Sequence, residues 1–537
     1  MMKAFDPQRY RYPSRRALVY GSRGMVATSH PQAAQAGLEI LKKGGNAVDA
    51  AIATAAALTV VEPTSNGLGS DAFAIICKDG KLYGINGSGP SPKALTRHML
   101  NKKGLSRLPS MGWLPVCVPG AVATWSTMSQ RMGRLSFLEI LAPAVALAKE
   151  GVAVPPTVSK SWGTALAKYG TSHDPALSSW KDTFVFDGGT PDPGEIIRLI
   201  HHGRSLELIA RSEGEDFYRG ELAERIIAFA TKTGGLITAD DLEEYSPQWV
   251  DPLSMDYRDI TVWELPPNGQ GIVALMALGI LKGMDSADPN SPDALHRSIE
   301  AMKLAFADGH RYICDPERAE IPIDELLSEG YLSERRKLVR DSALRPKPGD
   351  PYSGGTVYLA TADGFGNMVS MIQSNYTGFG SGVVVPGTGI ALNNRGLGFS
   401  MESDHPNELA PGKRPYHTII PGFLTDKKGK PLGPFGVMGG YMQPQGHLQV
   451  ITNLVDRGMN LQEALDAPRW QWTGGLKISV EQSFPSDIAK TLSRMGHEIT
   501  VLLEPDSFGR GQIILRTDAG SLVGATEPRA DGTIATW

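Results

Sequence analysis

The chain has 537 residues, 41% hydrophobic and 20% charged, enough for a large core and for roughly two to four domains by length alone. The 53 basic residues nearly balance the 57 acidic ones, and aromatic residues do not alternate with basic runs, which argues against a nucleic-acid-binding surface. The three cysteines, Cys77, Cys117 and Cys314, are odd in number and far apart, so they exclude a disulfide framework and fit a reducing compartment.

The amino-terminal residues 1–16 are polar, aromatic and basic, with no apolar core of a secretory signal. The longest apolar stretch, residues 47–61, contains Asp49 and two threonines and is short for a membrane span. We therefore expect a cytoplasmic protein with no membrane partner.

The first predicted elements are two helices followed by two strands. Pro31 suits the first turn of a helix that stops at Gly44, and the next helix starts at Asn46 or Ala47. This second helix is apolar nearly all round, which predicts burial on most sides. The strands are predicted over residues 72–77 and 81–86.

The region from residue 120 to 290 alternates helical segments with polar loops, and residues 294–312 are predicted to form one long helix. Ser136 and Glu139 form a capping-box pattern, and Pro143 predicts a kink or break in the helix that follows. The segment 340–353 is polar and rich in Pro and Gly, which indicates an exposed linker. After it the sequence becomes rich in β-strand patterns, with little helix expected before residues 460–467, so we place the main boundary between residues 355 and 356.

The stretch that begins at Thr356 has the pattern of a β-hairpin. Two runs of β-branched and apolar residues, 356–362 and 368–374, flank a turn of Gly, Asp and Asn. If Ala362 pairs with Met368, Thr356 lies opposite Ser374, and directly opposite residues have Cβ atoms about 5 Å apart. The pattern therefore predicts two hydroxyl groups together at one strand end.

This arrangement suits an amino-terminal nucleophile. If the Gly355–Thr356 bond is cut, Thr356 carries a hydroxyl beside a free α-amine, whose pKa of about 7.7–8.0 lets it act as the base for that hydroxyl. Considered alone, an ordinary hairpin with a threonine at a strand start is the simpler interpretation.

Two later stretches carry further candidate groups. Gly439 and Gly440 end an apolar strand, where adjacent N–H groups could stabilise an oxyanion, although a plain turn has the same pattern. Residues 414–418 bring together a cation, an imidazole and a hydroxyl, or form a solvated loop. The chain has no Gly-x-Ser-x-Gly, Walker A or His-Glu-x-x-His motif, and His201-His202 lacks neighbouring ligand residues. We expect no cofactor and no metal.

These pieces, in this order, resemble the γ-glutamyltransferase family of N-terminal nucleophile hydrolases over nearly the whole chain. The motifs that carry the resemblance lie on both sides of the boundary: residues 30–63, 119–125, 234–245, 266–271 and 302–316, then Thr356, Asn393-Asn394, 413–415, Gly439-Gly440 and 527–532.

The resemblance implies an α/β protein with an αββα sandwich, made as a precursor that cleaves itself. The large chain would be 1–355 and the small chain 356–537, paired as a heterodimer that could associate further. The family's functional positions fall on the following residues: nucleophile Thr356, its hydroxyl partner Ser374, oxyanion glycines Gly439 and Gly440, and substrate-binding Asn375, Asn394, Arg395, His417 and Thr418.

The implied activity is hydrolysis or acyl transfer of a small γ-glutamyl-like amide, of the glutathione type, through a threonyl ester. The chain departs from the family at the groups that hold the substrate: it lacks an arginine in residues 87–92, Arg395 replaces a glutamine, Gly398 replaces an aspartate, and His417-Thr418 replaces paired serines. Leaving a buried ammonium without its acid costs several kcal/mol.

Our hypothesis is therefore that Arg395 pairs with a substrate carboxylate and that the acyl donor lacks an α-amine. A glutaryl amide, as used by cephalosporin acylases, or an oxamate-type amide would qualify. Two alternatives stay open: Arg395 forms only an internal ion pair, or the protein is an uncleaved, inactive binding protein.

Overall fold

A computed structural model describes residues 16–284, 287–346 and 355–537. Its strands are β1 Val19–Gly21, β2 Gly24–Thr28, β3 Asp71–Lys78, β4 Lys81–Gly87, β5 Val152–Ala153, β6 Ile196–Ile197, β7 Gln248–Val250, β8 Leu253–Tyr257, β9 Ile260–Glu264, β10 Gly355–Asp363, β11 Met368–Tyr376, β12 Val384–Val385, β13 Ile390–Ala391, β14 Gly422–Asp426, β15 Pro431–Met438, β16 Trp470–Gly474, β17 Lys477–Glu481, β18 Glu498–Leu502, β19 Arg510–Arg516, β20 Leu522–Thr526 and β21 Thr533–Thr536.

Its α-helices are α1 Pro31–Lys42, α2 Ala47–Val61, α3 Arg97–Lys102, α4 Ala121–Met132, α5 Phe137–Glu150, α6 Pro156–Tyr169, α7 Ser178–Phe184, α8 Ile200–Arg211, α9 Glu215–Arg219, α10 Glu221–Thr233, α11 Ala239–Glu243, α12 Gly271–Lys282, α13 Pro292–Tyr312, α14 Ile323–Leu327, α15 Glu329–Arg336, α16 Met442–Val455, α17 Leu461–Asp466 and α18 Ser486–Arg494.

Two seven-stranded sheets form the centre of the fold. One has the order β21-β2-β10-β11-β3-β4-β7 and the other the order β1-β20-β19-β15-β14-β9-β8. Helices α1, α2 and α4 pack on the first sheet, and α12, α16 and α17 pack on the second. The sheets meet through an apolar layer that includes Tyr358, whose ring lies where a Cβ on Gly436 would be. The αββα sandwich implied by the sequence is confirmed.

The two amino-terminal helices form as their sequences predict. Asn46 caps α2 and forms a capping box with Asp49, and every residue of α2 is buried between the first sheet and the neighbouring helices. No helix among the described residues is long and apolar enough to cross a membrane. Ser136 and Glu139 cap α5 as expected, but the alternative of a break at Pro143 is wrong, since α5 continues past it to Glu150.

The carboxyl-terminal part contains one long helix that the sequence did not reveal. Helix α16 begins at Met442, with only Tyr441 between it and Gly440, although little helix was expected before residue 460. Pro444 and Gly446 lie within it and hide the helical pattern. Pro444 is tolerated because it falls in the first turn, where the N–H has no partner inside the helix.

The linker predicted at residues 340–353 is described only as far as residue 346. Residues 340–346 form neither helix nor strand, and residues 347–353 lie outside the described residues. The three cysteines are buried and unpaired, as the sequence predicts.

Candidate active site

Three neighbouring strands of the first sheet have a terminus at the same end of the sheet: β10 and β3 begin there, and β11 finishes there. The predicted register is confirmed from Ala362 opposite Met368 to Val357 opposite Gln373. Ser374 lies opposite Asp71 on the next strand. The strands therefore bring a hydroxyl and a carboxylate to the end where β10 begins.

Thr356 itself is not paired in the ladder, contrary to the expected direct opposition to Ser374. The register shifts between Val357 and Gly355, which lies opposite Tyr376, so two residues of β11 stand against one of β10. This is the geometry of a β-bulge, which turns side chains at a strand end. The two hydroxyls nevertheless converge as predicted, with Thr356 Oγ1 3.1 Å from Ser374 Oγ.

The hydroxyl pair is buried and held in place. Thr356 is 1% exposed and Ser374 fully buried. Ser374 Oγ accepts a hydrogen bond from the N–H of Tyr376 at 2.8 Å, and Tyr376 has a positive φ of 80°, unusual for a residue with a side chain. The bulge thus orients the serine hydroxyl toward Thr356.

A buried ion pair lies beside these hydroxyls. Arg395 Nε donates to Asp71 Oδ2 at 2.9 Å, and both side chains are fully buried. His417 Nε2 lies 3.0 Å from the same oxygen, while His417 Nδ1 accepts from the N–H of Ile419, which makes Nε2 the protonated nitrogen. Burial, helped by the charge of Arg395, lowers the pKa of His417 to about 4, so the imidazole is neutral at neutral pH.

The guanidinium of Arg395 is fixed on further sides. Its Nη1 donates to Thr418 Oγ1 at 2.9 Å, and its Cζ lies 4.6 Å from the ring centroid of Tyr376. Tyr376 in turn hydrogen-bonds the side chain of Tyr441, which follows the two candidate oxyanion glycines. Gln270 Nε2 donates to the carbonyl oxygens of both Thr418 and Gly440. These contacts join the Arg395 region to the glycine turn.

Three buried polar atoms around this pair have no hydrogen-bond partner among the described residues: Arg395 Nη2, Asp71 Oδ1 and Asn375 Nδ2. Asn375 follows Ser374, and its Oδ1 accepts from Ser70 Oγ at 2.9 Å, so its amide group is oriented. Unpartnered buried polar atoms are costly, and a group of them indicates a place for a polar ligand. The arrangement offers two donors and one acceptor.

The side chain of Asn394 forms its hydrogen bonds outside this group of unpartnered atoms. Its Nδ2 donates to Thr377 Oγ1 and to the carbonyl oxygen of Ser110, and its Oδ1 accepts from the N–H of Thr377. In this structure the side chain braces the loop that leads to Arg395. A direct contact of Asn394 with substrate stays a prediction.

Gly439 and Gly440 form a sharp turn between β15 and α16. Their φ values are 139° and 60°, a region that favours glycine. Their carbonyl oxygens accept from the N–H groups of Met442 and Gln443, and neither glycine N–H donates a bond to another described residue. Two unused N–H groups before a helix amino terminus are suited to a developing negative charge.

Sequence reasoning missed Asp71, Gln270, Tyr376 and Tyr441. Asp71 gave one local signal, because a carboxylate at the start of an apolar strand is unexpected. Arg414 is the cation of residues 414–418. Its ion pair is with Glu317, at 3.0 Å, and not with a residue of the site described above.

Comparisons with known proteins show the family to which the chain belongs. A family profile described as Gamma-glutamyltranspeptidase matches residues 33–537. The chain is 37% identical to the glutathione hydrolase-like YwrD proenzyme of Bacillus subtilis over 96% of this chain and 98% of that protein. It is 34% identical to the oxamate amidohydrolase proenzyme of Klebsiella pneumoniae, covering 95% and 98%.

Among solved structures, the crystal structure of cephalosporin acylase from Bacillus halodurans is 56% identical and superposes with a TM-score of 0.96, covering 99% of both chains. The family profile spans nearly the whole chain, and relatives above 30% identity cover almost all of it. The chain therefore belongs to the gamma-glutamyltranspeptidase family of enzymes.

Proposed function

We propose that the protein is a self-processing amidohydrolase in which Thr356 is the nucleophile. The observation that carries the proposal is the 3.1 Å contact of Thr356 Oγ1 with Ser374 Oγ, in a bulge at the buried start of β10. A hydroxyl partner orients the nucleophile and can pass its proton on.

Self-cleavage needs no group from outside except water. Thr356 Oγ attacks the carbonyl carbon of Gly355, its proton passes to the nitrogen of Thr356, and the C–N bond breaks to leave an ester. Water then hydrolyses the ester, giving the carboxylate of Gly355, the hydroxyl of Thr356 and a free α-amine. The products are a large chain, 1–355, and a small chain, 356–537.

The mature enzyme would repeat this chemistry on a small amide. The α-amine takes the proton of Thr356 Oγ as it attacks the substrate carbonyl, and the N–H groups of Gly439 and Gly440 stabilise the oxyanion. The leaving amine receives the proton, and water or another amine then removes the acyl group from Thr356.

The proposed acyl donor ends in a carboxylate and lacks an α-amine. Arg395 Nη2 and Asn375 Nδ2 are donors with no partner in the described part of the chain, while the charge of Asp71 is already balanced by Arg395 and by the N–H of His417. An ammonium would therefore gain little at Asp71. The names of two relatives, an oxamate amidohydrolase and a cephalosporin acylase, support the same choice.

A γ-glutamyl donor is the second candidate, and one observation favours it. Asp71 Oδ1 has no partner among the described residues, so it could accept from an α-ammonium while Arg395 Nη2 binds the α-carboxylate. Glutaryl and γ-glutamyl p-nitroanilides share a leaving group and differ only in the amine. A higher kcat/KM for the glutaryl compound is expected, and a strong preference for γ-glutamyl would select the second candidate.

Self-cleavage is tested on a gel of the purified protein. By chain proportion, the 57.6 kDa chain should give fragments of roughly 38 and 19 kDa, the lighter beginning Thr-Val-Tyr-Leu. Thr356→Ala should stay whole. A wild-type chain that remains one band would support the uncleaved binding protein, and a cleaved Thr356→Ala chain would place the nucleophile elsewhere.

A further inference from the structure

A buried polar cluster lies outside the candidate active site, where α13 meets the turn before β18. Its members are His296 and Glu300 of α13 and His497 of the turn, all buried. We propose that this cluster is a positioning device for self-cleavage, which holds the chain just upstream of Thr356. The inference rests on the proposed function, because it concerns the maturation of the same precursor.

The cluster binds the backbone of residues 340–344 on two sides. His296 Nε2 donates to the carbonyl oxygen of Arg340 at 2.7 Å, and Glu300 Oε2 accepts from the N–H of Leu344 at 3.0 Å. Between them, the N–H of Ala343 donates to the carbonyl oxygen of Met495 at 2.7 Å. Residues 340–344 of the future large chain are thus tied to α13 and to the future small chain.

The hydrogen-bond partners determine the protonation of the cluster. A carbonyl oxygen only accepts, so His296 Nε2 carries a proton and its Nδ1 is the acceptor for His497 Nε2, 2.8 Å away. Burial, followed by the charge of Lys303, lowers the pKa of His497 to about 3, so His497 is neutral. The two rings form a directed chain of hydrogen bonds from His497 to Arg340.

A metal ion is a poorer explanation for the same residues. The three ligand atoms lie within 4.8 Å of one another, which is suitable spacing. However, Lys303 Nζ lies 2.6 Å from Glu300 Oε1, and both side chains are fully buried. A buried ammonium on the carboxylate opposes a second cation, and 2.8 Å between two ring nitrogens is the length of a hydrogen bond.

The position of the cluster along the chain explains its proposed effect. Residues 345–354 separate Leu344 from Gly355, where β10 begins. When the His296 bond is lost, residues 340–344 keep only the N–H bonds of Ala343 to Met495 and of Leu344 to Glu300, so this part of the chain is anchored less firmly. Thr356 Oγ and the scissile Gly355–Thr356 bond are adjacent in the chain, so the expected effect of a weaker anchor is on the orientation of that bond, and lost orientation slows cleavage.

The test follows cleavage of the full-length chain by gel after cell-free synthesis. His296→Phe removes both hydrogen bonds of the ring and should lengthen the cleavage half-life about five- to fiftyfold, whereas His296→Gln keeps an amide donor and should lie in between. After long incubation, the matured His296→Phe enzyme should keep kcat/KM on its anilide substrate within twofold of wild type. That last measurement separates a role in maturation from a general structural one.

His202→Phe is the matched control. His202 is also buried and makes two hydrogen bonds, to Thr59 Oγ1 and the carbonyl oxygen of Gly389, but contacts nothing in residues 340–344. It should cleave within twofold of wild type. The inference is overturned if His296→Phe cleaves at the wild-type rate, or if the two variants are slowed equally. A wild-type chain that never cleaves would instead overturn the proposed function.

Discussion

Breaking the buried pair of Asp71 and Arg395 should destabilise the fold far more than breaking an ion pair on the surface. Both partners are fully buried, and Asp71 Oδ2 receives N–H donors from Arg395 and His417. Removing one partner of a buried pair typically costs about 3–5 kcal/mol, because the other charge stays in a medium of low polarity. Asp71→Asn keeps the shape of the side chain, so its effect reports mainly on charge.

A double-mutant cycle measures this coupling with Asp71→Asn, Arg395→Met and the double variant. All are made in the Thr356→Ala background, so that the protein stays a single uncleaved chain. Each single change should lower the free energy of unfolding by about 3–5 kcal/mol. The double variant should lose less than the sum, because it leaves no buried charge unpaired, and the coupling energy should exceed about 2 kcal/mol. Urea unfolding followed by tryptophan fluorescence supplies these values.

The pair of Lys43 and Glu39 on α1 is the control. Its side chains are 52% and 50% exposed, and the pair has i,i+4 spacing. The same cycle should give a coupling of about 0.3–0.5 kcal/mol. If the Asp71–Arg395 coupling were equally small, the pair would be solvated in solution, and the proposed carboxylate site with its fixed guanidinium would be refuted.

Three further results are expected. Ser374→Ala should lower kcat about 10- to 100-fold with KM unchanged, because it removes the hydroxyl partner of the proposed nucleophile; an unchanged kcat contradicts that role. Gly439→Ala, at a φ of 139°, should lower kcat about 10²- to 10³-fold, whereas Gly474→Ala, at a φ of 123° in open space, should leave it unchanged. Burial lowers the pKa of His202 from 6.5 to about 4, so between these pH values only the unfolded chain binds this proton and stability falls as pH falls. His202→Phe should flatten the pH dependence of the unfolding free energy by about 1.4 kcal/mol per pH unit in that window, and an unchanged slope would contradict the buried neutral imidazole.

The hairpin at Thr356 shows which features of the fold can be predicted from local sequence patterns. Alternation and turn residues predicted the register correctly from Val357 to Ala362, since all these pairs follow from one short turn between two adjacent strands. The bulge at Thr356 could not be predicted in this way. It depends on the backbone of Tyr376, whose positive φ has no signal in the sequence.

Long-range contacts were the other limit. The sequence identified Arg395 as a candidate, but its partner Asp71 is 324 positions away, and no periodicity connects them. Helix α16 was missed for a related reason. Its residues are buried on nearly all sides by tertiary packing, so it lacks the apolar stripe that marks a surface helix.

The internal ion pair and the carboxylate site, which the sequence presents as alternatives, are compatible in the structure. A guanidinium has five N–H donors on separate edges. Nε of Arg395 binds Asp71 and Nη1 binds Thr418, while Nη2 has no partner among the described residues. Asp71 offsets the free energy that burying the charge of Arg395 costs. It also fixes the orientation of the rigid guanidinium, so the remaining N–H edge points toward one place only. A substrate carboxylate would therefore meet an oriented donor rather than a bare charge, which favours selection by shape and distance.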